Sequence, residues 1–152
     1  MIRTLFIFFG LISLPTAGLA DETLSGTADI LSATSMVVDG KTVSLFGIKS
    51  PKTGTMCTWK SKRQLDCAKL ATAGLKDISI AANVVCSPQS NKTYVCKADG
   101  FDLAYGLIHA GWAVPTTGAP KRYFTKRDEA RDNKRGLWGA VDQAGKTIAS
   151  QL

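Results

Sequence analysis

Histidine occurs once in this chain of 152 residues, at His109. A single imidazole near the end of a predicted helix, with no serine or cysteine nucleophile and carboxylate relay beside it, excludes a hydrolytic triad. The same scarcity, together with cysteine spacings that fit no zinc pattern, sets zinc aside as a reading of the cysteines. Long apolar runs are missing too: the longest, Leu5 to Leu14, is well short of the roughly 20 residues a spanning helix requires. No internal repeat, low-complexity tract or Walker-type phosphate loop is present. Acidic residues are scarce, 12 Asp and Glu against 19 Lys and Arg, which leaves a net charge of +7. Such an excess favours polyanionic partners, among them nucleic acid, acidic polysaccharide and anionic surfaces, without choosing between them.

What is present begins at the N-terminus. Arg3 precedes the apolar segment, and Pro15 and the small-residue sequence Gly18-Leu19-Ala20 follow it, the order of a secretory signal peptide. Cleavage after Ala20 predicts an exported chain, secreted or periplasmic, with no stable membrane insertion once the signal is gone. Taking residues 1–20 from 152 leaves 132, a common size for one domain around one core, and losing Arg3 takes the charge from +7 to +6. Export places Cys57, Cys67, Cys86 and Cys96 where disulfides form and persist. Four cysteines allow three pairings. Cys86 ends the apolar run Val84-Val85 and Cys96 ends Tyr94-Val95, with turn formers Ser87 to Asn91 between them. A hairpin then sets those two side by side, which favours Cys57 with Cys67 and Cys86 with Cys96, each adding about 2 to 3 kcal/mol.

Residues 21–26 read as a loose leader and 27–140 as the single domain, with 141–152 a weakly patterned tail. Strand-like runs occur at Ala28 to Leu31, Met36 to Val38 and Lys41 to Phe46, and Asp39-Gly40 marks a tight turn between the last two. These form an antiparallel meander. Leu65, Ala68, Leu70, Ala71 and Leu75 recur at helical spacing within Lys60 to Lys76. Two more strands, Ile80 to Cys86 and Lys92 to Ala98, precede a helix capped by Asp102 and stopped by Gly111, and a charged helix runs from Tyr123 to Arg135. Short strands with helices inserted between and after them predict an α+β fold, a partly open five-stranded OB-type β-barrel with about three helices.

Three stretches carry a family likeness. They are Val38-Asp39-Gly40-Lys41-Thr42-Val43-Ser44-Leu45-Phe46-Gly47-Ile48-Lys49-Ser50-Pro51, the segment from Asp102-Leu103 to Gly111-Trp112-Ala113, and the run from Ala130-Arg131 to Arg135-Gly136-Leu137-Trp138-Gly139. With the four cysteines, they resemble the staphylococcal-nuclease family in its secreted bacterial form, over roughly Thr27 to Ala140. The resemblance implies a calcium ion held by two aspartates, a glutamate assisting the attacking water, and two arginines stabilising the phosphate. Carried over position by position, the calcium aspartates fall on Thr34 and Lys49, the glutamate on Lys52, and the arginines on Ser44 and Asn91, with Lys92 replacing Asn91 if the turn slips by one residue. None of the five keeps its chemical type, and two are charge reversals. Lysines in place of carboxylates repel a divalent cation, so the resemblance implies no calcium cofactor and no metal-assisted mechanism here.

An ammonium group attracts phosphate, sulfate or carboxylate without a metal. Lys41, Lys49, Lys52, Lys60 and Lys92 are therefore the candidate anion-binding residues, on a rim that OB-type barrels use for oligonucleotides or oligosaccharides. Trp59 caps the Cys57 loop or stacks on a ligand ring, whereas Trp112 and Trp138 follow helix stops and pack in the core. The leading expectation is a monomeric, non-catalytic pseudonuclease that binds nucleic acid or another polyanion. Two alternatives stand beside it: a metal-independent or atypical nuclease or phosphodiesterase, and an envelope accessory protein that binds a protein or acidic polysaccharide.

Overall fold

The computed structural model describes residues 22–59 and 63–152. The signal peptide read over residues 1–20 and the candidate Lys60 lie outside the described residues. The first strands are β1 (Leu24–Gly26), β2 (Ala28–Ser32), β3 (Ser35–Val38) and β4 (Lys41–Leu45). β2, β3 and β4 form the expected antiparallel meander. Asp39 and Gly40, at φ 51° and 70°, make the turn that matches the twist of β3 and β4. Alternation then does the packing: Met36, Val38, Val43 and Leu45 point into the core while Thr42 and Ser44 stay exposed.

Beyond β4 come β5 (Ile48–Lys49), β6 (Met56–Thr58), β7 (Gln64–Asp66) and α1 (Cys67–Ser79). The helix starts later than its periodicity predicts, because the Asp66 carboxylate accepts from the N–H groups of Ala68 at 3.0 Å and Lys69 at 3.1 Å and fixes the N-terminus there. It also runs on to Ser79, so Ile80, expected in a strand, caps the helix with 78% of its surface exposed. β8 (Val84–Pro88), β9 (Thr93–Ala98) and the short β10 (Phe101–Asp102) follow. Next are α2 (Leu103–Ala110), β11 (Val114–Pro115) and α3 (Lys121–Asp132), the last beginning and ending earlier than its charge pattern predicts. Asp102 caps α2 as read, accepting from the Tyr105 N–H at 3.1 Å. Gly111 stops it at φ 80°, and a Cβ there would lie 2.3 Å from the Arg135 carbonyl oxygen, so glycine serves both the turn and the close approach of the chain after α3.

The main sheet has the order β1-β8-β9-β4-β3-β2, with β10 on β9, and every pairing is antiparallel except β4 with β9. Among the described residues the fold is thus α+β, with three α-helices and a mixed, mostly antiparallel sheet. Its ladders do not close into a barrel: β1 and β2 end the path, separated only by Thr27, and are not paired with each other. The strand count also exceeds five, because the N-terminal strand divides at Thr27 and β10 adds a short edge.

Two stretches read as peripheral are not. Leu24 of the expected leader is 1% exposed, and its strand pairs with Val84 to Cys86. Ile148 and Ala149 of the expected tail are each 4% exposed, and Asp142 ties down the turn before them by accepting from the N–H groups of Ala144 and Lys146 at 2.8 and 2.9 Å. They join a second core cluster around Cys57, Cys67, Leu137 and Ala140, and Trp112 packs against both this cluster and the main one. Trp59 covers the Cys57 loop as read, meeting Trp112 edge-on at 6.2 Å. The disulfides are Cys57–Cys67 and Cys86–Cys96, the latter joining directly opposed residues of β8 and β9. Among the described residues, no helix is long and apolar enough to cross a membrane.

Candidate functional site

Sheet register brings four of the sequence-derived positions to one end of the sheet. Ser44 lies opposite Ser35 on one side and Thr93 on the other. Thr34 precedes Ser35 in the β2–β3 turn, and its carbonyl accepts from the Leu45 N–H at 2.8 Å. Asn91 and Lys92 precede Thr93, both exposed, each with φ 57°. The lysines after β4 are placed differently. Lys49 is exposed on β5, opposite Val114 of β11. Lys52 follows Pro51 in a loop held by Thr55, whose N–H and hydroxyl both donate to the Lys52 carbonyl, at 3.1 and 2.7 Å. Lys52 lines a 250 Å³ cavity against Ile148, Gln151 and Leu152, which Lys49 does not line. Lys41, at the start of β4, meets Glu22 at 3.5 Å on the surface.

Thr34, Lys49 and Lys52 offer one hydroxyl and two ammonium groups. That donor set does not fit a hard cation, which requires several anionic or carbonyl oxygens. Among the described residues, no three His, Cys, Asp or Glu side chains gather into a metal-binding group.

A cleft of about 380 Å³ opens between the β2–β3 turn, the loop Ser50 to Thr53, and α1. Lys69, Thr72, Ala73 and Lys76 face it, spaced three, four and seven residues from the first, which is one face of a helix. Seven residues of rise set the two lysines about 10 Å apart along the helix axis. Thr34, Ser50 and Pro51 form the opposite wall, and among the described residues no carboxylate lines the cleft. The Thr72 hydroxyl donates to the Ala68 carbonyl at 2.7 Å and the Ser50 hydroxyl to the Trp112 carbonyl at 2.9 Å, so both are committed to the backbone. The ammonium groups of Lys69 and Lys76 are not: among the described residues, neither has a carboxylate within ion-pairing distance. Lys76 also lines a second cavity of about 400 Å³, between β2 and the end of α1, which the Asp29 carboxylate lines as well.

Neither lysine stands out in the sequence, where both belong to the polar face of an amphipathic helix. Seven-residue spacing is the only signal, and it gains meaning once β2 is known to run beside that face.

The most strongly perturbed titratable group lies elsewhere. Tyr123 is fully buried and donates its hydroxyl to both carboxylate oxygens of Asp102, at 3.0 and 2.8 Å. Burial first, and the neighbouring Asp102 charge second, push its phenol well above the ordinary tyrosine range. Arg122 pairs with the same carboxylate. His109 is exposed, with Nδ1 3.2 Å from an Arg135 guanidinium nitrogen and no nucleophile at hand. No protein-family model matches this chain, and no curated protein matches it in sequence.

Proposed function

We propose that this chain is an exported, non-catalytic member of the staphylococcal-nuclease-like fold that binds a polyanion in the cleft between β2 and α1. One observation carries the reading: among the described residues, the cleft has two ammonium groups without an ion pair on one wall and no carboxylate on any wall. Such a lining stabilises phosphate, sulfate or carboxylate and disfavours a divalent cation. The OB-type barrel belongs to the same reading. It is supported by the β2-β3-β4 meander, the parallel return of β9 onto β4, and the single residue that separates β1 from β2 at the two ends of the sheet.

The test compares two double variants of the purified protein, K69A/K76A and K49A/K52A, for binding to single-stranded DNA and to an acidic polysaccharide across a salt series. A polyanion site in the cleft predicts affinity that falls steeply with salt, and a shallower slope in K69A/K76A because fewer counterions are released. An unchanged slope in K69A/K76A with a reduced one in K49A/K52A moves the site to the β5 region. Cleavage of DNA or RNA that copurifies with the protein, with calcium or with chelator, refutes the non-catalytic reading.

A further inference from the structure

The strongest feature outside the cleft is an exposed aromatic ring with a purpose-shaped seat. Phe101, on β10, leaves 48% of its surface in solvent, where an apolar ring gains nothing from burial. Its seat is Gly106, in the middle of α2: a Cβ there would lie 2.6 Å from the Phe101 ring and 3.1 Å from Ile78 Cδ1. Glycine in a helix interior is about 1 kcal/mol worse than alanine. The helix carries that cost where Cε1 and Cζ of the Phe101 ring come closest to it.

The ring opens onto a cavity of about 350 Å³ shared with Asp102, Tyr105 and Arg122. The Tyr105 ring beside it is flanked by two cations, Arg122 at 5.9 Å and Lys126 at 5.4 Å from the ring centroid. Lys126 is paired with Glu129 at 2.6 Å. Arg122 is paired with Asp102, yet its side chain remains 58% exposed, so part of its guanidinium fork faces solvent. Asp102 is fully committed, to the Tyr123 hydroxyl, the Tyr105 N–H and Arg122, so no free carboxylate is left to read the hydroxyls of a sugar. What the surface offers is a half-exposed aromatic ring with a part-exposed cationic donor next to it. That combination matches a base with its phosphate.

We infer that Phe101 is a stacking platform for a base of single-stranded nucleic acid, with Arg122 contacting the adjacent phosphate. This rests on the polyanion reading above and names its ligand class. Ile78, which packs against the same glycine, is two residues beyond Lys76 and so lies on the opposite face of α1, which makes the platform a site separate from the lysine cleft.

The test is fluorescence anisotropy of a labelled short oligo(dT) with F101A, F101L and F101W, each checked for native circular dichroism. F101L keeps a similar apolar volume without the π-face, and F101W keeps the π-face. The inference predicts about tenfold weaker binding for F101A and F101L and near-native binding for F101W, with binding of an acidic polysaccharide equal in all four proteins. Native-like oligo(dT) affinity in F101L, while K69A/K76A is weakened, overturns the platform and leaves the cleft standing. Binding of the polysaccharide without any binding of oligo(dT) also overturns it. Absence of binding to both polymers overturns the cleft reading as well.

Discussion

Replacing Asp102 with alanine tests the physical account of how β10, α2 and α3 are joined. The carboxylate does three things at once: it caps α2 through the Tyr105 N–H, accepts the buried Tyr123 hydroxyl, and pairs with Arg122. Loss of the cap costs about 1 kcal/mol. A Tyr123 hydroxyl left without a partner in the core costs about 1 to 3 kcal/mol. The Arg122 pair is discounted to under about 1 kcal/mol, because the guanidinium is mostly in solvent. The total is on the order of 3 kcal/mol, which for a domain of this size lowers the melting temperature by roughly 10 °C. Thermal unfolding followed by circular dichroism, with the disulfides intact, measures it. Y123F alone should cost less, about 1 kcal/mol, since it removes a single hydroxyl and leaves Arg122 and the cap in place. The double variant should then be less destabilised than the sum of the singles, because the orphaned hydroxyl is gone. A loss below about 1 kcal/mol in D102A, or strict additivity in the double variant, would refute the reasoning.

Three further outcomes follow from the same structure. Because the Tyr123 phenol is raised above its unfolded value, its contribution is complete below about pH 10 and is lost as pH rises towards the folded value. Urea midpoints measured between pH 8 and 11 should fall at the alkaline end in the native protein and fall less in Y123F. G111A places a methyl against the Arg135 carbonyl and forces a side chain into left-handed backbone; it should cost several kcal/mol, read as a large drop in melting temperature or loss of folded protein. C86S/C96S opens a loop of sequence separation 10 and should cost roughly 3 kcal/mol in urea unfolding, with an unaltered midpoint counting against a stabilising role for the bridge.

Local chemistry was legible wherever a residue type has one efficient use. Asp102 and Gly111 mark the ends of α2 because a short acceptor and a residue free at positive φ are needed there. Asp39-Gly40 marks the β3–β4 turn for the same kind of reason, and the turn formers between Cys86 and Cys96, reversing the chain at Asn91 and Lys92, bring that disulfide together. The start of α1 is read too early because Leu65 fits the helical spacing of Ala68 and Leu75, while the cap that begins the helix at Asp66 depends on one side chain's geometry. Leu24 and Ile148 lie in short, weakly patterned stretches, and their burial comes from long-range partners that no local window contains.

The candidate site divides along the same line. From the sequence alone came the lysines at Lys49 and Lys52, the cysteine pairing and the basic balance, because these depend on residue identity and short spacing. Only the tertiary structure could show that Lys69 and Lys76 share a cleft with Thr34, that Lys52 faces the C-terminal segment instead, and that Phe101 rests on Gly106. Each of those is a meeting of elements far apart in the chain, set by which faces must bury against one another, and that choice is made by the whole core at once.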